Sequence, residues 1–195
     1  MDSQLTLVDP SPPVCLTFSA NSMINAILYR DGRPVYTIST ELLGSTTEIK
    51  ASATSELLAR ITRKELLPDI VTFPNVDGGK DMRLSKWMRR CKLPDGSHAH
   101  VIETEVGNCL LRKHRTHRLA LFTEYDLESP VAHWERPDES SPLSLILYSG
   151  TENFHPQIIT AFTVQELKMR MAEKADIVAL SRATAQSRGL RRGNM

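Results

Sequence analysis

Cysteine is scarce in this chain: Cys15, Cys91 and Cys109 are the only three in 195 residues, odd in number and far apart. That excludes a disulfide framework and fits a reducing compartment. Net charge is nearly absent too, with 24 Lys and Arg against 23 Asp and Glu. Global attraction to nucleic acid or membrane is therefore excluded, and only local patches can act. Aromatic residues make up 6% of the chain, too few for the stacking platforms of a nucleic-acid binder. No apolar run approaches the roughly 18 residues of a membrane-spanning helix. The first ten residues lack the basic stretch and apolar core of a secretory signal. There is no nucleophile elbow or metal-binding helix motif, and Gly78-Gly79-Lys80 lacks the rest of a phosphate loop. The expectation is a soluble, cytoplasmic, non-catalytic protein with no cofactor.

What the chain does have is short β-rich runs separated by turn residues. Asp31-Gly32 accepts the positive φ of a tight hairpin turn. Met23 to Tyr29 and the alternating Val35 to Thr40 flank it as strands. Further strands are expected over Val14–Phe18, Thr46–Lys50, Leu57–Arg63 and Ile70–Phe73. Others follow over His98–Thr104, Cys109–Lys113, Arg118–Thr123, Val131–Glu135 and Leu143–Tyr148. Met82–Met88 fits either a strand or a helical turn. Turn signals at this spacing indicate an all-β barrel or sandwich.

One late segment breaks the pattern. From Ile158 to Met171 the chain has helical spacing, and apolar residues point in several directions. Ile158, Phe162 and Met169 share one face, while Ala161, Val164 and Leu167 point elsewhere. A helix on a sheet surface needs one apolar stripe; one apolar on several sides needs protein around it. Pro156 suits its first turn, with Asn153 or His155 as caps. The expected layout is a flexible lead-in over 1–13 and a β domain over 14–172 with its helix at about 156–172. Residues 173–195 form a helix extension and a basic, disordered tail carrying Arg182, Arg188, Arg191 and Arg192.

Several stretches carry a resemblance. Leu16-Thr17-Phe18, Asn21 to Ala26, Gly32 to Ile38, Ala59-Arg60-Ile61 with Arg63 to Asp69, Leu84-Ser85-Lys86-Trp87 and Ile158 to Phe162 resemble an uncharacterised family of fungal, mainly mushroom-type, proteins with a domain of unknown function. That family is distantly similar to the tubby C-terminal and LURP-one-related group. The resemblance implies an antiparallel β-barrel enclosing one apolar C-terminal helix. It also implies basic patches that bind phosphoinositide headgroups. The chain departs from the fungal pattern at His98-Ala99-His100, where family members place an aromatic pair.

Two basic clusters are the candidate ligand sites. The first includes Arg83, Lys86, Arg89 and Arg90 around Trp87; the second includes Arg112, Lys113 and Arg115. Beside an anionic membrane each Lys or Arg contributes about 1 kcal/mol, and Trp87 would serve as an interfacial anchor. A solvated, internally paired surface is the competing reading. His98 and His100 share a strand face and are weak metal candidates; only they and His114/His117 come close to ligand spacing, and there is no Cys-x-x-Cys pair of a zinc site. The expected partner is an anionic membrane surface or another protein, with nucleic acid disfavoured.

Overall fold

The structure, a computed structural model, describes residues 12–76, 78–104, 107–135 and 142–192, with side chains up to Ser181. The first half of its sheet comprises β1 (Val14–Phe18), β2 (Ala26–Arg30), β3 (Arg33–Thr40), β4 (Thr46–Ala51), β5 (Leu57–Thr62), β6 (Ile70–Thr72) and β7 (Met82–Arg83). A four-residue helix, α1 (Leu84–Trp87), leads to β8 (Met88–Lys92). Then come β9 (His98–Thr104), β10 (Gly107–His114), β11 (Arg118–Thr123), β12 (Ala132–Glu135) and β13 (Ser144–Leu147). The long helix α2 runs from His155 to Arg192.

The thirteen strands form one antiparallel sheet in the order β7-β6-β5-β4-β3-β2-β1-β13-β12-β11-β10-β9-β8. Each strand pairs with its sequence neighbours, except that β7 and β8 do not pair and β1 also pairs with β13. Asp31 at φ 51° and Gly32 at φ 74° make the expected hairpin turn between β2 and β3. The sheet curls without closing by hydrogen bonds; β7 and β8 are its edges and α1 lies between them. The barrel expected from the resemblance is thus a barrel-like, open sheet. Leu84 and Trp87 of α1 are buried at the seam, so side chains cover the edges where a ladder would otherwise run.

Inward residues alternate with outward ones along the strands. Leu16 and Phe18, Leu28, Ile38, Ile49, Ala59 and Ile61, Ile102, Leu111, Leu119 and Leu121, Trp134, and Leu145 and Leu147 meet in one core. The first turns of α2 fill it. Every residue from Gln157 to Val164 is buried, and Phe162 stands edge-on to Trp134 at 5.4 Å. A helix apolar on several sides is what an enclosing sheet requires.

Three local expectations change. Strand β2 begins at Ala26, not Met23, because Asn25 turns its side chain to accept a hydrogen bond from the Thr40 amide at 3.0 Å. The Met82–Met88 ambiguity resolves into strand, helical turn and strand in succession. His155 does not cap α2: its ring contacts Tyr36 and Thr151. The lead-in expected over 1–13 falls almost wholly outside the described residues. The backbone of α2 is helical to Arg192, and the side chains of Arg182, Arg188, Arg191 and Arg192 lie outside the description.

Candidate functional site

In an antiparallel sheet every second connection lies at the same end. The loops 19–25, 41–45 and 63–69 therefore share an end with the β8–β9 and β10–β11 turns. Helix α2 leaves there as well, since Arg170 reaches Asn21 and Glu166 reaches Arg118.

Strand alternation decides what this end presents. Arg90 follows buried Met88 by two residues and pairs with His100. His98 and His100 share the face of buried Ile102, and Lys113 shares that of buried Leu111. All four side chains therefore start on the concave face. Helix α2 adds Gln165 and Lys168. These residues, with Ser97, Leu111 and Arg112, line a pocket of about 450 Å³. None of the described lining residues carries a carboxylate. Burial, then the charges on Lys168, Arg90 and His98, push the His100 imidazole below its ordinary value. His100 therefore stays neutral in a cationic surround and offers a hydrogen bond without a charge. The side-chain amide oxygen of Gln165, Oε1, is buried without a hydrogen-bond partner.

The structure brings together Arg90, from the first sequence cluster, and Lys113, from the second. It disperses the others. Arg112 lines the pocket, but its guanidinium lies over Phe122 at 4.4 Å and donates to the Leu127 carbonyl at 2.8 Å. Arg89 points to the convex face, 4.0 Å from Glu103 in an exposed pair that contributes little. Arg83 is exposed on the edge strand β7, and Arg115 is exposed in the β10–β11 turn. Lys86 lines a separate pocket of about 580 Å³ beside Lys80 and Asp81. Trp87 is 3% exposed and packs on Phe73 at 5.0 Å, so it is a core residue and cannot serve as an interfacial anchor. Lys168 and Gln165 escaped the sequence reading, because only the packing of α2 against β9 and β10 brings them to the site.

Among the described residues His98 and His100 gain no further metal-ligating neighbour. No group of three or more His, Cys, Asp or Glu able to hold a metal forms among the described residues, and the groups around the pair are cations. A second histidine group sits on the convex face. His117 stacks on His114 at 5.1 Å and contacts buried His133 at 3.9 Å. Burial, then the neighbouring His117 and His114, push the His133 imidazole down to about 4.

Beside the basic pocket an ion-pair network holds α2. Buried Glu166 accepts from Arg118 at 2.8 Å and from Arg170 at 2.7 Å. Arg118 also reaches Glu173 at 3.0 Å, and Arg170 donates to the Asn21 side chain at 2.7 Å. The hydrogen bonds that Arg118 donates to both glutamates raise its pKa. These four charges neutralise one another, whereas the described lining of the pocket adds cations without a carboxylate.

Residues 21–171 match the model of DUF6593, a family of unknown function, and the chain belongs to that family. No curated protein matches it. Among solved structures it is similar to an X-ray structure of a protein from Arabidopsis thaliana. The identity is 8% and the TM-score 0.45, with 78% of this chain and 91% of the other covered.

Proposed function

We propose that the chain is a non-catalytic, cytoplasmic binding module whose pocket takes an anionic, phosphoinositide-like lipid headgroup. The carrying observation is that Arg90, Lys113 and Lys168, with His98 and His100, line one cavity without a carboxylate. Arg90 offers a planar fork suited to phosphate oxygens, and the lysines act as point charges. Three such cations near an anionic surface supply about 3 kcal/mol in all, which gives weak, reversible attachment. The sequence resemblance to the tubby and LURP-one-related group, whose basic patches bind such headgroups, supports the same reading.

Co-sedimentation with phosphatidylcholine vesicles, with and without phosphoinositide, tests it at low and at raised salt. Binding is expected only with phosphoinositide and should fall as salt screens the charges. Arg90→Glu with Lys168→Glu should abolish it, while Arg83→Glu with Arg89→Glu should leave most of it. A wild type that fails to sediment at low salt overturns the lipid reading in favour of a protein partner. Binding that survives reversal at Arg90 and Lys168 places the site elsewhere.

A further inference from the structure

The same end of the sheet carries a second feature, which the sequence reading passed over. Leu42, Leu43 and Leu66 are fully exposed, and Leu67 is 63% exposed. They belong to the 41–45 and 63–69 loops, and Ile24, in the adjacent 19–25 loop, is partly exposed as well. A scattered exposed leucine needs no explanation; leucines gathered at loop tips do.

The three loops are tied into one rim. Arg63 donates to the Gly44 carbonyl at 3.0 Å, and its amide to the Ser45 carbonyl at 2.7 Å. Asn25 holds the Thr40 amide at the foot of the next loop. Leu42 and Leu43 occupy both corners of a tight turn, closed by the Gly44 amide on the Glu41 carbonyl at 2.8 Å. Turn corners favour Gly, Pro, Asn, Asp and Ser. Two leucines there run against turn chemistry and gain no burial in the fold.

The geometry points to a membrane-insertion rim: Leu42, Leu43, Leu66 and Leu67 enter the interfacial zone of a lipid bilayer while the neighbouring basic pocket faces its anionic headgroups. Shape favours lipid over protein as the occupant. The leucines sit on projecting tips rather than around a groove. Protein hot spots favour Trp, Tyr and Arg in packed pockets, with leucine under-represented. Charge favours it too, because the cations of the pocket lie at the same end. Helix α2 leaves this end beside the 19–25 loop, where Arg170 donates to the Asn21 carbonyl and Arg118 pairs with Glu173. The inference rests on the membrane reading above, but its contact is apolar and so separable from headgroup binding.

Two variants of the full chain test it on vesicles of phosphatidylcholine, phosphatidylserine and phosphoinositide. Replacing all four leucines by serine should leave folding intact and weaken vesicle binding by about tenfold or more, because insertion strength scales with apolar area. Leu43→Trp provides a depth probe against the buried native Trp87 and Trp134. Its emission should shift to the blue and be quenched by brominated lipid. If the wild type sediments while the serine variant binds equally well and Trp at 43 stays unquenched, the rim does not insert and the headgroup pocket alone remains. If the wild type does not sediment at all, both readings fall.

Discussion

Helix α2 is held by different chemistry at the two ends of the sheet. Where it begins, His155 lies between Tyr36 at 3.4 Å and Thr151 at 3.3 Å. Burial pushes the His155 pKa down and the Tyr36 pKa up, so both groups stay neutral. Where the helix leaves, a buried carboxylate sits between two guanidinium groups. A neutral contact costs little to lose, whereas a buried charge demands every partner it has. Arg118 even adopts a left-handed φ of 60°, a conformation its two contacts with Glu166 help to hold. The exposed leucines and the cationic pocket lie at this second, charged end. The first end only has to seat the helix; the second also fixes the geometry of a binding surface.

The widest break in that comparison comes midway between the ends. Phe162→Ala should cost about 3–5 kcal/mol in chemical denaturation, because the ring is enclosed and packed on Trp134; a loss under about 1 kcal/mol would refute the enclosed helix. Next, Glu166→Ala should cost about 3 kcal/mol, the low end for a broken buried pair, since both arginines retain some solvent. A smaller loss there than for Tyr36→Phe would reverse the contrast between the ends.

Acid provides a third test. The folded pKa of His133, about 4, lies below the ordinary imidazole value of 6.5, so folding favours its neutral form. That stability is present above pH 6.5 and disappears as pH falls through 4, amounting to about 2–3 kcal/mol. His133→Phe should flatten the fall between pH 7.5 and 4.5; an unchanged slope would assign the acid sensitivity elsewhere. Tyr36→Phe, which removes one neutral hydrogen bond, should cost about 1 kcal/mol. Truncation after Lys174 should hardly move the melting temperature, because residues 171–181 of α2 are exposed. A large drop would mean that the extension docks on the domain.

The β2–β3 hairpin was legible because Asp-Gly dictates its turn. Strands β9 and β11 were legible to the residue because their ends carry turn signals. Strand β8 was not: Arg89, Arg90 and Lys92 conceal an alternation whose inward positions include a cation at the mouth of the sheet. The candidate site was half legible. Basic residues could be counted, but Arg89 and Arg90, adjacent in sequence, face opposite sides of the sheet, and Trp87 lies beneath the surface.

By itself the sequence determined a mainly β chain and one helix that had to be enclosed, because turn chemistry and periodicity act over a few residues and are written locally. Only the tertiary structure decided that the sheet stays open at α1, that Glu166 is buried between two arginines, and that Arg90, Lys113 and Lys168 share a cavity. Those outcomes depend on side chains that meet across strands and across the core, and sequence distance does not encode which charges will meet.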